Sequence, residues 1–206
     1  RAGIETCRMA VGDNLLHNPL AADLMRLNKS FVVERDLASA RAGYRAMTRT
    51  SHYVRHSLQE HASVWIAQRQ GRAKDGFDRT DPALIKMLAL AYRKQAEPIR
   101  ELLSNGALVP VSLSYEVDPC APAKARELAA LARDGEYAKG EEEDLDSMIQ
   151  GLVGYKGQVH VHFSPPIAQD CDSLEQLVER LDSAIVGGIR VFSTNRYADA
   201  LLADEA

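Results

Sequence analysis

Four short apolar runs rich in β-branched residues, Phe31 to Val33, Val64 to Ile66, Leu108 to Leu113 and Val159 to Phe163, are spaced along the chain between segments that carry helix start signals. β-Branched side chains suit a pleated, half-buried surface, so each run predicts a strand. The intervening segments predict helices. Asn18-Pro19 supplies a cap and a first-turn proline for a short helix with Leu20, Leu24 and Leu27 on one face. Asp36 caps a long helix in which Leu37, Ala40, Tyr44, Met47, Val54 and Leu58 recur at helical spacing. Asp81-Pro82 opens a third, with Leu84, Met87, Leu88 and Ala91 facing inward. Ser173 and Gln176 form a capping box ahead of Leu177, Val178, Leu181 and Ile185, and Gly187-Gly188 stops that helix. Helices alternating with strands predict an α/β fold, a mainly parallel sheet with helices on both faces, whose ligands gather at the carboxyl ends of the strands.

The chain of 206 residues, 46% hydrophobic and 26% charged, is rich enough to bury a core, and it is expected to form one domain over residues 1–206. A more polar stretch from Leu128 to Glu143, with Gly135, Gly140 and an acidic run ending at Asp144, predicts an insertion or surface connection near residues 128–146. A formal net charge of -4 argues against broad nucleic-acid affinity, which needs a strongly positive face. Cys7, Cys120 and Cys171 are odd in number and far apart, which suggests neither a disulfide framework nor a zinc site and fits a reducing, cytoplasmic compartment. No apolar run reaches the roughly 18 residues that a membrane span requires, so any membrane contact is expected to be peripheral.

The positive charge of the chain is local. The strand from Val64 empties into a turn built around Gly71 that carries Arg69, Arg72, Lys74 and Arg79. Four cations do not pack in a core, and two readings of the turn compete. In one, Arg69, Arg72 and Lys74 surround a phosphate, held by charge-assisted hydrogen bonds, while Gly71 admits the backbone closely and Arg35 joins from the end of a neighbouring strand. In the other, the turn is solvated and its cations pair with Asp75, Asp78 and Asp81, Arg79 first among them. Phe31 and Val33 share one face of their strand, Val32 and Glu34 the other, and Arg35 emerges as the strand ends.

The histidines offer less. His160 and His162 lie two apart on a strand and face the same side, but no third metal ligand at matching spacing accompanies them, which favours a half-exposed strand face. His52, His56 and His61 are placed on the long helix as a polar face, without the glutamate of an HExxH site. Neither a metal nor a resident cofactor is expected. The chain has no GxSxG elbow, Walker loop or GxGxxG turn.

Three blocks, in order, resemble those of the glycerolipid acyltransferases, which transfer fatty acyl groups to glycerol-3-phosphate or lysophosphatidic acid. Phe31-Val32-Val33-Glu34-Arg35 is similar to the second block of that family, Ile66 through Lys74 to the third, and Leu108-Val109-Pro110-Val111 to the fourth. Runs such as GDNLL, NKSF, GRAKDG, SYEVDPC and GYKGQVH bring the chain closer to a bacterial branch of the same family. The resemblance implies a glycerolipid acyltransferase-like fold, an acyl-CoA or acyl-carrier-protein donor, a phosphorylated glycerol acceptor and a peripheral place on the cytoplasmic membrane face. It further implies that Arg35 and the loop of Arg69, Gln70, Gly71, Arg72 and Lys74 hold the acceptor's phosphate. Gln70 stands where the third block has glutamate, and the basic residue after Gly71 is either Arg72 or Lys74.

The first block of the family, His followed after four residues by Asp, is not matched. His17 and Asp23 are separated by five residues, in a context that reads as a helix start. That block supplies the general base and the group that orients it, so no catalytic residue is assigned. Because the chain opens on Arg1 and not on Met, the block is expected upstream, and residues 1–206 alone are expected to be inactive. A non-catalytic module that binds a phosphate-bearing ligand is the alternative, and it needs no upstream block. RNA binding through the basic loop ranks lowest, since Phe77 is the one aromatic there.

Overall fold

The computed structural model describes residues 5–13, 16, 19–34, 39–69, 73, 74, 76–138, 140 and 143–204. It divides into two compact units. The first comprises Arg1–Gly71, Arg79–Leu108 and Pro166–Leu181, the second Arg72–Asp78, Val109–Pro165 and Asp182–Ala206.

The first unit holds a three-stranded parallel sheet in the order β2-β1-β3, formed by β1 (Arg8–Gly12), β2 (Ser30–Val33) and β3 (Val64–Trp65). Met9 to Gly12 pair with Ser30 to Val33 on one side, and Arg8 and Met9 with Val64 and Trp65 on the other. The central strand is the one that sequence reasoning missed, because Met9-Ala10-Val11 is too short a run, with too little β-branching, to stand out. In β2 the period-two expectation is met: Phe31 and Val33 are half-buried while Val32 and Glu34 are exposed. The Phe31 ring lies 4.8 Å from that of Tyr53.

Between these strands run α1 (Pro19–Leu27) and α2 (Ala40–Gln59); α3 (Pro82–Ala89), a 3-10 turn (Leu90–Tyr92) and α4 (Pro98–Asn105) follow. Two leucines of the expected α1 stripe do not lie on its buried side, and the side chain of the third, Leu20, lies outside the description. Ala22 is buried, whereas Leu24 and Leu27 are exposed; the proposed cap Asn18 lies outside the described residues. In α2 the cap is Ser39, whose side chain accepts from the Ala42 amide; Asp36 and Leu37 lie outside the described residues. Its buried face runs through Ala46, Thr50, Ser51, Val54 and Ser57, and Tyr44 and Met47 are exposed. Small and hydroxyl-bearing residues win here because the hydroxyls are satisfied by specific partners. Ser51 Oγ donates to the Leu88 carbonyl at 2.9 Å and accepts from the Ala91 amide at 2.8 Å. Ser57 Oγ accepts from Arg8 at 2.8 Å, and the same guanidinium reaches Glu60 at 2.8 Å. His61 lies past the end of α2 with φ 59°, so it does not share the helix with His52 and His56.

The α3 start is as expected, with Asp81 Oδ1 accepting from the Ala83 amide at 2.8 Å. Two buried clusters fill the unit. Val54, Met87, Leu88, Tyr92 and Leu102 form one, with Phe31, Val64 and Ile66 packed against it. Ile85, Leu103, Cys171, Leu177 and Leu181 form the other. The last three come from the returning segment that enters α7 (Leu174–Gly187). At the start of α7, Ser173 Oγ accepts from the Gln176 amide at 3.1 Å, while Gln176 Oε1 accepts from the Asp172 amide at 3.1 Å, one residue earlier than a standard capping box places it.

The chain is mixed α/β, and the parallel pairing expected of its strands holds in the first unit but does not extend to the second. Strands β4 (Val111–Tyr115) and β5 (Val159–Phe163) pair with each other, antiparallel, as a separate two-stranded sheet. β4 begins later than its apolar run because Leu108 packs in the first unit and Pro110 has no amide to donate. The stretch expected as a polar connection is largely helical: α5 (Ala121–Asp134) and α6 (Glu143–Val153) occupy most of it, with Gly135 at φ 78° ending α5. α5 buries none of its residues, which agrees with its polarity. The unit ends with α8 (Ser193–Asp204). Among the described residues no helix is long and apolar enough to cross a membrane.

The sheet of the second unit turns its hydroxyl and imidazole face inward. Ser112 and Ser114 are buried and His160 and His162 half-buried, while Leu113 is 50% and Phe163 66% exposed. Ser112 Oγ donates to the Ile185 carbonyl at 2.6 Å, and Ser114 Oγ accepts from the Arg190 amide at 3.0 Å. Gly188 sits against this face: a Cβ there would fall 2.5 Å from Ser112 Oγ and 2.6 Å from His162 Cδ2. Gly188→Ala is therefore expected to cost about 1–3 kcal/mol, as overpacking of a closed site does, read as a lower urea midpoint; an unchanged midpoint would show that the sheet can recede.

Candidate functional site

In a parallel sheet all strands deliver their chain to the same edge, and ligands collect there where the strand order reverses. With the order β2-β1-β3, that reversal falls between β1 and β3. β1 ends at Gly12 and is followed by the half-buried Asp13; β3 ends at Trp65 and is followed by Ile66, Ala67, Gln68 and Arg69. Met9 pairs with Trp65, so three further residues on each strand lead to Gly12 and to Gln68.

In the segment after β3 the Asp81 amide donates to the Gln68 carbonyl at 2.9 Å. Asp81 is also the cap of α3, so the entry to that helix and the exit from β3 are fixed together. The Gln68 side-chain amide Nε2 is buried and has no hydrogen-bond partner. The next residue, Arg69, is half-buried, and no described residue forms an ion pair or hydrogen bond with its guanidinium.

The other proposed loop residues divide. Arg35, Gln70, Gly71 and Arg72 lie outside the described residues. Lys74 belongs to the second unit, whereas Arg69 belongs to the first. Lys74 Nζ forms an ion pair with Glu127 of α5, with side-chain exposures of 27% and 12%. That pair gives the Lys74 charge a structural partner. Arg79 is exposed and pairs with no described carboxylate, contrary to the solvated-turn expectation; Asp75 lies outside the described residues. On the neighbouring strand exit, Glu34 Oε1 accepts from Arg49 of α2 at 2.5 Å, an exposed pair that ties the end of β2 to the helix.

No protein-family model matches this chain, and no curated protein or solved structure was found to be similar to it.

The histidines do not assemble a second centre. His160 and His162 stack with ring centroids 6.2 Å apart, and among the described residues no group of three His, Cys, Asp or Glu side chains is placed to hold a metal ion. Sequence reasoning reached Arg69 from its charge. It missed Gln68, because an amide in a polar loop carries no signal until burial and the lack of a partner are known.

Proposed function

We propose that this chain binds a phosphorylated glycerol acceptor for acyl transfer from a thioester, a step of phospholipid synthesis, with Arg69 gripping the acceptor's phosphate. The observation that carries the reading is a half-buried arginine whose guanidinium has no described partner, on the exit from β3 at the point where the strand order reverses. A guanidinium holds phosphate by paired, charge-assisted hydrogen bonds. The blocks around Val33 and Gly71 support the same reading, and through them Arg35, Gln70, Gly71 and Arg72 join the proposed site. The glycerolipid acyltransferase-like fold and the peripheral position at the cytoplasmic membrane face belong to this proposal too.

In the reaction an acceptor hydroxyl oxygen attacks the thioester carbonyl, a C–O bond forms, the C–S bond breaks, and the hydroxyl proton ends on the departing thiol. Residues of this chain hold and orient the acceptor. Proton removal is the task of a His-Asp block, and nowhere in residues 1–206 does His precede Asp at that spacing. That same fact favours, as a second reading, a module that binds the phosphate-bearing ligand without turning it over.

Incubating the intact protein with an acyl-CoA and glycerol-3-phosphate separates the two. The expected product is acylglycerol phosphate, with free thiol released in equal amount. Binding of glycerol-3-phosphate without thiol release supports the second reading, and absence of binding overturns both.

A further inference from the structure

We infer that Gln68, through its side-chain amide, is a hydrogen-bond donor to the same anionic head group that Arg69 grips, and so a residue that sets acceptor affinity. The inference rests on the phosphate-site reading above. It starts from a different observation, the buried Nε2 of Gln68 with no hydrogen-bond partner.

A buried amide left unpaired is costly, and native structures rarely keep one without a use for it. The Gln68 backbone has its own partner, its carbonyl accepting from the Asp81 amide at 2.9 Å. Asp81 in turn accepts from the Ala83 amide at 2.8 Å, so the anchor is part of a helix cap. The backbone that carries the side chain is thus anchored, and its Nε2 donor is unused. Its position, three residues beyond Trp65 and next to Arg69 on the carboxyl side of the parallel sheet, is where such a sheet takes its ligands. An amide nitrogen donates only, which selects a ligand atom that accepts. Beside a guanidinium without a described partner, that atom is an anionic oxygen. A carboxylate at this position would repel the ligand, so glutamine provides reach and a donor without adding negative charge.

The test uses Gln68→Met and Gln68→Glu, both close to glutamine in length, with glycerol-3-phosphate as the titrated ligand and inorganic phosphate as a second probe. Gln68→Met is expected to weaken glycerol-3-phosphate binding by about 10-fold, the worth of one hydrogen bond to a charged group, without lowering the melting temperature, because it removes an unpaired buried donor. Gln68→Glu is expected to weaken it further. Weakening of both probes alike assigns the contact to phosphate; weakening of glycerol-3-phosphate alone assigns it to another acceptor oxygen and overturns the head-group contact. If Gln68→Met binds as the wild type does, or if it lowers the melting temperature by several degrees, the donor serves the fold or nothing, and the inference fails while the phosphate site stands. Failure of the wild-type protein to bind either probe overturns the site itself and this inference with it.

Discussion

Leu177→Ala lowers the stability of the first unit by about 2–5 kcal/mol, the usual cost of removing a fully enclosed leucine together with the cavity it leaves. Leu177 is 0% exposed and packs among Ile85, Leu103, Cys171 and Leu181. These neighbours come from α3, α4 and the returning segment, which are far apart in sequence, so the truncation loosens the contact that joins them. Urea unfolding followed by far-ultraviolet circular dichroism measures the loss. Leu202→Ala, at a position 68% exposed, is the matched control and should change little. A loss below about 1 kcal/mol at Leu177 would show that the cluster collapses around the gap.

Arg69→Ala weakens glycerol-3-phosphate binding by about 1.5–3 kcal/mol, the range for hydrogen bonds to a charged group, or roughly 10- to 150-fold in Kd. No described residue pairs with the Arg69 guanidinium, so its removal leaves no counter-charge stranded among them and thermal stability should hold. Lys74→Ala is the informative contrast. Its ammonium is paired with Glu127, a carboxylate only 12% exposed, so truncation strands a poorly solvated negative charge and the loss appears in stability. Titration calorimetry and thermal unfolding on the two variants therefore give opposite patterns. Equal affinity in Arg69→Ala and wild type would remove the phosphate site. The affinity should also fall with added salt, as contacts between accessible charges do.

Much of the local structure was legible in the chain. Asp81-Pro82, Ser173 with Gln176, and Gly187-Gly188 each mark a helix end through contacts made within a few residues, and the helices begin and stop there. The run Val159 to Phe163 is a strand over the same residues. The faces of the helices were less legible. Leu24 and Leu27 on α1 and Tyr44 and Met47 on α2 look like core positions by spacing, yet they are exposed; of the same α2 stripe Val54 is buried and Leu58 packs on the core, where Ala46, Thr50, Ser51 and Ser57 are buried too. Periodicity reports that one face differs from another; which face is covered depends on where hydroxyl partners such as the Leu88 carbonyl arrive. The candidate site was legible only where charge marked it.

By its own residues the sequence determined the starts of α1, α3 and α7, four of the five strands in outline and the loop that concentrates positive charge, because caps, β-branching and formal charge act over a few neighbouring positions. The tertiary structure alone decided that β4 and β5 pair antiparallel and apart from β1, β2 and β3, that Lys74 meets Glu127 across 53 residues of chain while Arg69 meets no described partner, and that the Gln68 amide is buried and unpaired. Each of these is a meeting of distant segments. Its free energy depends on which groups leave water together, and no short stretch of sequence holds that information.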